Sequence, residues 1–376
     1  MVDAPLAIFL TDPHSRGGGQ VRYITELSRE LAALGHRVTI GCRPASVLVE
    51  KAHAIGVGVW DRFSFRGGVR PRAWVDDLRE FRRAVTSLAP DIVHANLSQD
   101  HWTCALGNRI SGYPACVVRT RHNTYPVANS FPNRVLNRNW TDYQIVVCDV
   151  VRRQLASQPV FDPARLCSIH NGVDAERFGP DAESRARARE EFHYGPNDLV
   201  LGIAARLVPA KGHEYLFRAA ASLRAELPNL RVLVLGEGEL ESSLRDLASE
   251  LDIGSIVNFA GFREDMAYCT QAFDIGVQPS IDCDTSSFSL KEQMAAEKPV
   301  IASDYGGLTE IVTDSVEGLV VPQRTIGPLA GAIRALAKDA GLRAAMGARG
   351  RARVLRDFTV QVFASRTVEA YRRALD

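Results

Sequence analysis

Two spaced sets of residues have types that can do chemistry. In Arg206-Leu207-Val208-Pro209-Ala210-Lys211-Gly212, a guanidinium and an ammonium flank a turn, and two fixed cations suit a diphosphate. In Asp284-Thr285-Ser286-Ser287-Phe288-Ser289-Leu290-Lys291-Glu292, a serine-rich loop runs into a helix and carries one carboxylate before it and one inside it. A loop and one helical turn can aim both carboxylates into one pocket, where they accept from the hydroxyls of a polyhydroxylated ligand. The first-turn N–H groups of that helix lack internal partners and can hold a phosphate oxygen.

Other features carry less. Asp282-Cys283-Asp284 has the form of a metal-binding D-x-D triplet, which is frequent by chance, and no metal is assigned to it. Gly236-Glu237-Gly238 lacks the third glycine of a dinucleotide fingerprint, Glu241 standing in its place, so a sharp turn explains it. Gly17-Gly18-Gly19 either permits tight packing of a helix on its strand or turns backbone N–H groups toward an anion. His122 and His14 read either as satisfied structural histidines or as groups lining a site.

Positioning these residues requires a parallel α/β framework. Residues 6–10 form an apolar run, a glycine turn follows, and Tyr23, Leu27, Leu31 and Leu34 recur at helical spacing up to Gly35, before a second strand at 38–40. Further strands are predicted at 91–95, 116–120 and 144–148. An Asn171-Gly172 turn and an Arg- and Glu-rich stretch then mark a boundary. Alternation restarts with strands at 199–205, 231–235, 256–259, 275–278, 299–303 and 318–321. The reading is two Rossmann-like βαβ domains facing each other across a cleft: 1–174, joined by a returning C-terminal helix at 357–376, and 175–356. Phe358, Val362, Val368 and Tyr371 supply apolar positions of that helix.

Composition fits this. The chain has 376 residues, 46% apolar and 24% charged, which excludes a disordered chain and allows two domains to bury cores unaided. A net charge of +1 gives no global attraction to nucleic acid. The 7 cysteines are scattered singly, without the close pairs of zinc or dithiol sites, which fits a reducing compartment. The N-terminus has no basic leader and no apolar run is long enough to span a bilayer, so a cytoplasmic protein is expected. Residues 62–83 hold seven arginines, interleaved with Phe63, Phe65, Trp74 and Phe81 and set against Asp76, Asp77 and Glu80. That segment reads as a solvated helix face or as a patch for an anionic acceptor or the inner membrane surface.

Several motifs in order resemble the retaining glycosyltransferases of the GT-B type, family 4. The family stretch E-G-F-G-L-V-L-L-E-A-M-A has its counterpart in D-T-S-S-F-S-L-K-E-Q-M-A from Asp284 to Ala295. Around it stand Gly17-Gly18-Gly19, Arg206, Lys211-Gly212, Gly236-Glu237-Gly238, K-P-V-I-A-S-D-Y-G-G-L-T-E from Lys298 to Glu310, and Glu317-Gly318. The resemblance implies that Arg206 and Lys211 bind the donor diphosphate, that Glu292 accepts from the ribose and that Asp284 holds sugar hydroxyls. It places backbone N–H groups around Phe288, Ser289 and Leu290 at the phosphates, Gly236, Phe262 and Arg263 beside the nucleoside, and His122 near the donor sugar.

The activity implied is metal-independent, retaining transfer of a hexose-type sugar. The donor is a nucleotide diphosphate sugar, a substrate rather than a cofactor; the acceptor is a glycan or glycolipid of surface-polysaccharide or lipopolysaccharide type. A nucleotide-sugar epimerase and a non-catalytic nucleotide-sugar-binding protein are the alternatives. Asp284 departs from the family's Glu, Thr285 and Ser287 from its glycines, and His170 from its linker proline.

Overall fold

The computed structural model describes residues 4–66 and 70–376. Apolar runs rich in Val, Ile and Leu pair in parallel and are covered on both faces, as parallel sheets require. One compact unit comprises Met1–Gly172 and Val360–Asp376, the other Val173–Thr359.

In the first unit the strands are β1 (Ala7–Thr11), β2 (Arg37–Gly41), β3 (Gly58–Trp60), β4 (Ile92–Ala95), β5 (Cys116–Arg121), β6 (Tyr143–Val146) and β7 (Leu166–Ser168). Their order is β3-β2-β1-β4-β5-β6-β7, with Ile8 opposite both Val38 and Ile92. The three-residue strands β3 and β7 were not expected from sequence: each lies at or next to solvent and carries little apolar pattern.

The second unit contains β8 (Leu199–Ala204), β9 (Leu230–Leu235), β10 (Val257–Gly261), β11 (Ile275–Gln278), β12 (Val300–Ser303) and β13 (Gly318–Val321), in the order β10-β9-β8-β11-β12-β13. Alternate side chains enter two cores. Leu201, Ile203, Val232 and Val234 pack on one face, while Val200, Leu233 and Leu235 meet Phe273 on the other. Val173 pairs with Thr359 and donates to the Phe358 carbonyl at 2.9 Å, so this unit closes at Val173 and Thr359 rather than at 175 and 356.

Helix Val360–Leu375 belongs to the first unit and packs on the helix Gly19–Ala33. Its buried face is Val360, Phe363, Ala364, Thr367, Ala370 and Tyr371. Val362 and Val368 fall off this stripe by helical phase, and Phe358 lies before the helix, where it caps the preceding helix and joins the other core. The Tyr371 hydroxyl lies 2.7 Å from His94 Nδ1, and His94 Nε2 lies 2.7 Å from Thr120 Oγ1. Burial drives His94 down to about 3, so its imidazole is neutral and donates from one nitrogen while accepting at the other.

Tyr371→Phe should therefore leave a buried imidazole nitrogen unpaired and lower the stability of the protein by about 1–3 kcal/mol, measured by denaturant unfolding. A second expectation concerns acid. Burial lowers His94 to about 3, His213 to about 4 and His101 well below its ordinary 6.5. Groups held neutral in the fold but protonated when unfolded contribute fully above pH 6.5 and lose that contribution below it, up to about 1.4 kcal/mol per histidine per pH unit. Asp100 and His14, both raised, act in the opposite sense and are outnumbered. Unfolding at pH 7 and pH 5 should show a net loss at pH 5; equal or greater stability there would contradict the assignment.

Candidate functional site

The second sheet reverses its strand order between β8 and β11, and ligands of such sheets bind beyond the carboxyl ends of the strands at that point. The loops leaving those two strands carry both residue sets singled out above. Arg206, two residues beyond β8, is exposed and its guanidinium has no polar partner among the described residues. Lys211 closes a short turn and precedes Gly212, whose φ is +69°. A Cβ at Gly212 would lie 2.1 Å from the carbonyl oxygen of Pro279, so glycine lets the loops after β8 and β11 touch.

Across that contact Lys211 Nζ donates to Asp284 Oδ2 at 2.9 Å. The same oxygen accepts from Ser280 Oγ at 2.7 Å and from Gln278 Nε2 at 2.9 Å. Asp284 is 4% exposed, and its Oδ1 has no hydrogen-bond partner among the described residues. Lys211 and Asp284, expected to serve diphosphate and sugar separately, thus face each other. One ammonium N–H is spent on the carboxylate and the outer carboxylate oxygen remains for a hydroxyl. Gln278 and Ser280 were missed from sequence because only the fold folds them back onto Asp284.

The helix Phe288–Ala295 begins at this loop. Ser287 caps it, its Oγ accepting from the Leu290 N–H at 3.2 Å. The Leu290 amide, expected at the phosphates, is therefore engaged by the cap; Phe288 and Ser289 supply the first-turn amides before it. Glu292 is buried within the helix. So is Lys291, a charge that sequence reading passed over although its neighbours Leu290 and Met294 are apolar. The carboxylates of Asp282 and Asp284 are differently engaged, Asp282 Oδ1 accepting from the Tyr305 hydroxyl at 2.8 Å. Among the described residues no group of three or more His, Cys, Asp or Glu converges as metal ligands.

Gly236, at φ +132°, follows β9, and a Cβ there would meet the Ala205 carbonyl oxygen at 2.1 Å, bringing this loop against the one that bears Arg206. Phe262, just beyond β10, exposes its ring, whereas the Arg263 guanidinium is held by Asp265 at 2.7 Å and 2.8 Å and by Glu191 at 2.7 Å. Arg263 is thus committed to a clamp within the unit, and the exposed Phe262 ring is the apolar surface of this loop.

In the first unit the corresponding reversal lies between β1 and β4. Gly17, Gly18 and Gly19 are exposed, and a Cβ at Gly17 or Gly18 would meet nothing within 4 Å, so close packing on the strand does not explain them. Gly19 instead opens the helix Gly19–Ala33. Beside it buried Asp12 accepts from His14 Nδ1 at 2.9 Å and from Gln20 Nε2 at 3.1 Å, and its hydrogen bond raises the His14 pKa. His122 lies 3.1 Å from Asn96 Oδ1 and edge-on to Tyr23. Burial, with Arg119 nearby, holds it well below the ordinary histidine range and hence neutral. Asp100, raised to about 6 by burial, accepts from Thr11 Oγ1, Asn96 N and Leu97 N, with Arg119 3.7 Å away. No sequence spacing pointed to Asp12 or Asp100.

Residues 62–83 are divided by the fold, Gly67, Gly68 and Val69 lying outside the described residues. Phe63, Phe65 and Phe81 are core, so the aromatic interleaving is mostly packing, and only Trp74, 40% exposed, reaches the surface. Asp77 and Glu80 are buried, Asp77 accepting from Ser64 N and Phe65 N, whereas the seven arginines are exposed. Three of these arginines are paired on that face, Arg83 with Glu80 at 2.8 Å, Arg79 with Asp76 at 2.9 Å and Arg62 with Glu80 at 4.0 Å, so the face carries its carboxylates among its guanidinium groups. No helix among the described residues is long and apolar enough to cross a membrane.

Residues 17–177 match the family described as Glycosyltransferase Family 4, and residues 184–353 that described as Glycosyl transferases group 1. The D-inositol 3-phosphate glycosyltransferase of Nocardioides sp. is 30% identical over 95% of this chain and 85% of its own length. The GDP-mannose-dependent alpha-(1-6)-phosphatidylinositol monomannoside mannosyltransferase of Mycobacterium tuberculosis is 32% identical over 60% of each chain. HepE from Anabaena, solved in complex with UDP-glucose, shares the fold with a TM-score of 0.82 at 20% identity, over 97% of this chain and 98% of that one. With both halves matched in order and a relative at this identity along nearly its whole length, the chain belongs to the family 4 glycosyltransferases, its C-terminal half being of the group 1 type.

Proposed function

We propose that the protein transfers a sugar from a nucleotide diphosphate sugar to an acceptor hydroxyl, with retention at the anomeric carbon and without a metal. The observation that carries this reading is the unpaired Arg206 guanidinium beside the Lys211–Asp284 pair at the strand-order reversal of the second unit. When the glycosidic bond to the phosphate breaks, negative charge grows on the diphosphate. Arg206, the remaining N–H groups of Lys211 and the first-turn amides of Phe288 and Ser289 meet it there, more strongly in the transition state than in the bound donor. Asp284 Oδ1 accepts from a sugar hydroxyl, Glu292 from the ribose, and Phe262 with Gly236 borders the base. The leaving phosphate oxygen takes the proton of the acceptor hydroxyl as the new bond forms on the same face.

In the first unit, the glycine loop and neutral His122 serve the donor sugar and acceptor, His122 as a hydrogen-bonding group rather than a cation. The acceptor is a glycan or glycolipid, as in surface-polysaccharide or lipopolysaccharide-type synthesis. The relatives' names, which specify inositol phosphate and phosphatidylinositol mannoside, favour one that bears phosphate. The arginine-rich face with Trp74 suits cytoplasmic work at an anionic membrane surface.

Arg206→Ala tests the leaving-group role cleanly, because the side chain has no partner to lose. Turnover should fall about 100-fold or more, while stability changes by no more than about 0.5 kcal/mol; near-normal turnover would refute the role. Lys211→Ala should lose both turnover and about 3 kcal/mol of stability, since it strands a buried carboxylate. A thermal-shift panel of UDP-, GDP- and ADP-sugars identifies the donor, which raises the melting temperature of the folded state it binds. Incubating that donor without acceptor should give at most slow hydrolysis, whereas conversion of the sugar while still attached to the nucleotide would establish an epimerase.

The membrane reading has its own check. The protein should sediment with phosphatidylserine-containing vesicles at low salt and be released at high salt, and failure to sediment at low salt would dispose of it.

A further inference from the structure

Lys291 is wholly buried, on the helix Phe288–Ala295, beside Leu290 and Met294 of an apolar cluster. Its ammonium donates to Ser286 Oγ at 2.8 Å and lies 5.4 Å and 5.9 Å from the ring centres of Phe358 and Phe288. Aromatic faces stabilise a desolvated cation, yet an apolar side chain of similar volume would fill the position without removing a charge from water. The family stretch E-G-F-G-L-V-L-L-E carries apolar residues at both places where this chain has Ser286 and Lys291. The two changes make one contact.

That contact falls where the loop needs it. Asp284, at the start of the loop, is fixed by three donors on Oδ2, and Ser287, at its end, caps the helix. Ser286 stands between these fixed points, and Lys291 reaches it from one turn inside the helix.

We propose that Lys291 is a positioning residue that, through Ser286, fixes the 284–287 loop against its helix and thereby sets which donor sugar fits. The span it controls runs from Asp284 Oδ1 to the first-turn amides, the two groups assigned above to the sugar and the phosphate. This rests on the nucleotide-sugar reading and narrows it to the sugar. A strut of this kind changes discrimination between epimers more than affinity for the nucleotide, because the nucleotide contacts lie outside the loop.

Two variants test it: Lys291→Met, which keeps the volume of the stem and removes the ammonium, and Ser286→Ala, which removes the acceptor. Amide hydrogen exchange in the ligand-free protein should quicken at least tenfold across residues 284–287 in both, with the melting temperature of Lys291→Met unchanged or raised. Unchanged exchange overturns the strut whatever the substrate. Calorimetry then compares UDP and GDP with UDP-glucose, UDP-galactose, GDP-mannose and GDP-glucose. Both variants should bind the free diphosphate as the parent protein does and lose about tenfold in the ratio between a sugar and its epimer, the double variant losing no more than either single one. A retained ratio overturns the selectivity role. Binding by the parent protein of none of these and of no other sugar in the UDP-, GDP- and ADP-sugar panel overturns the donor reading and the selectivity role with it, whereas the exchange result still judges the strut separately.

Discussion

A buried carboxylate and a largely buried ammonium held 2.9 Å apart join the loops after β8 and β11. Either charge alone would be expensive to bury, and together they are tolerable only because Ser280 and Gln278 also point at the carboxylate. The pair forces the two loops into contact, which Gly212 permits by having no side chain to collide with Pro279. It also decides where charge is left over. With Lys211 partly neutralised, the uncompensated cation of this loop is Arg206, and it stands at the carboxyl edge of the sheet. On the proposed reading, an anion would meet this guanidinium without first breaking a bond.

The first unit handles its polar groups by the opposite means. Its histidines at the strand ends are stripped of charge by burial and serve as neutral links: His94 between Tyr371 and Thr120, and His122 against Asn96 and Tyr23. Asp100 satisfies the amides at the start of its helix while burial weakens its acidity. The returning helix Val360–Leu375 is anchored into the same network by Tyr371, so the last residues of the chain help hold the strand ends in shape.

Much of the frame was legible. Long Val, Ile and Leu runs buried on both faces cannot be mistaken for surface, and eleven of the strands lie where these runs do. Strands β3 and β7 escaped because three residues at a sheet margin need little hydrophobicity. Other differences trace to partners that no local pattern contains. Arg263 is claimed by Asp265 and by distant Glu191, the Leu290 amide by its own cap, and the phenylalanines of residues 62–83 by the core.

The sequence by itself determined the order of strands and helices, the two-unit plan and the family, because apolar periodicity, glycine turns and motif spacing are properties of consecutive residues. Tertiary structure alone decided that Lys211 faces Asp284 across 73 positions, that Arg206 stays unpaired, and that Lys291 turns inward to Ser286. Those outcomes depend on which side chains the packed loops bring within hydrogen-bond reach, and on how much water the packing leaves around each charge; neither quantity exists until the chain has folded.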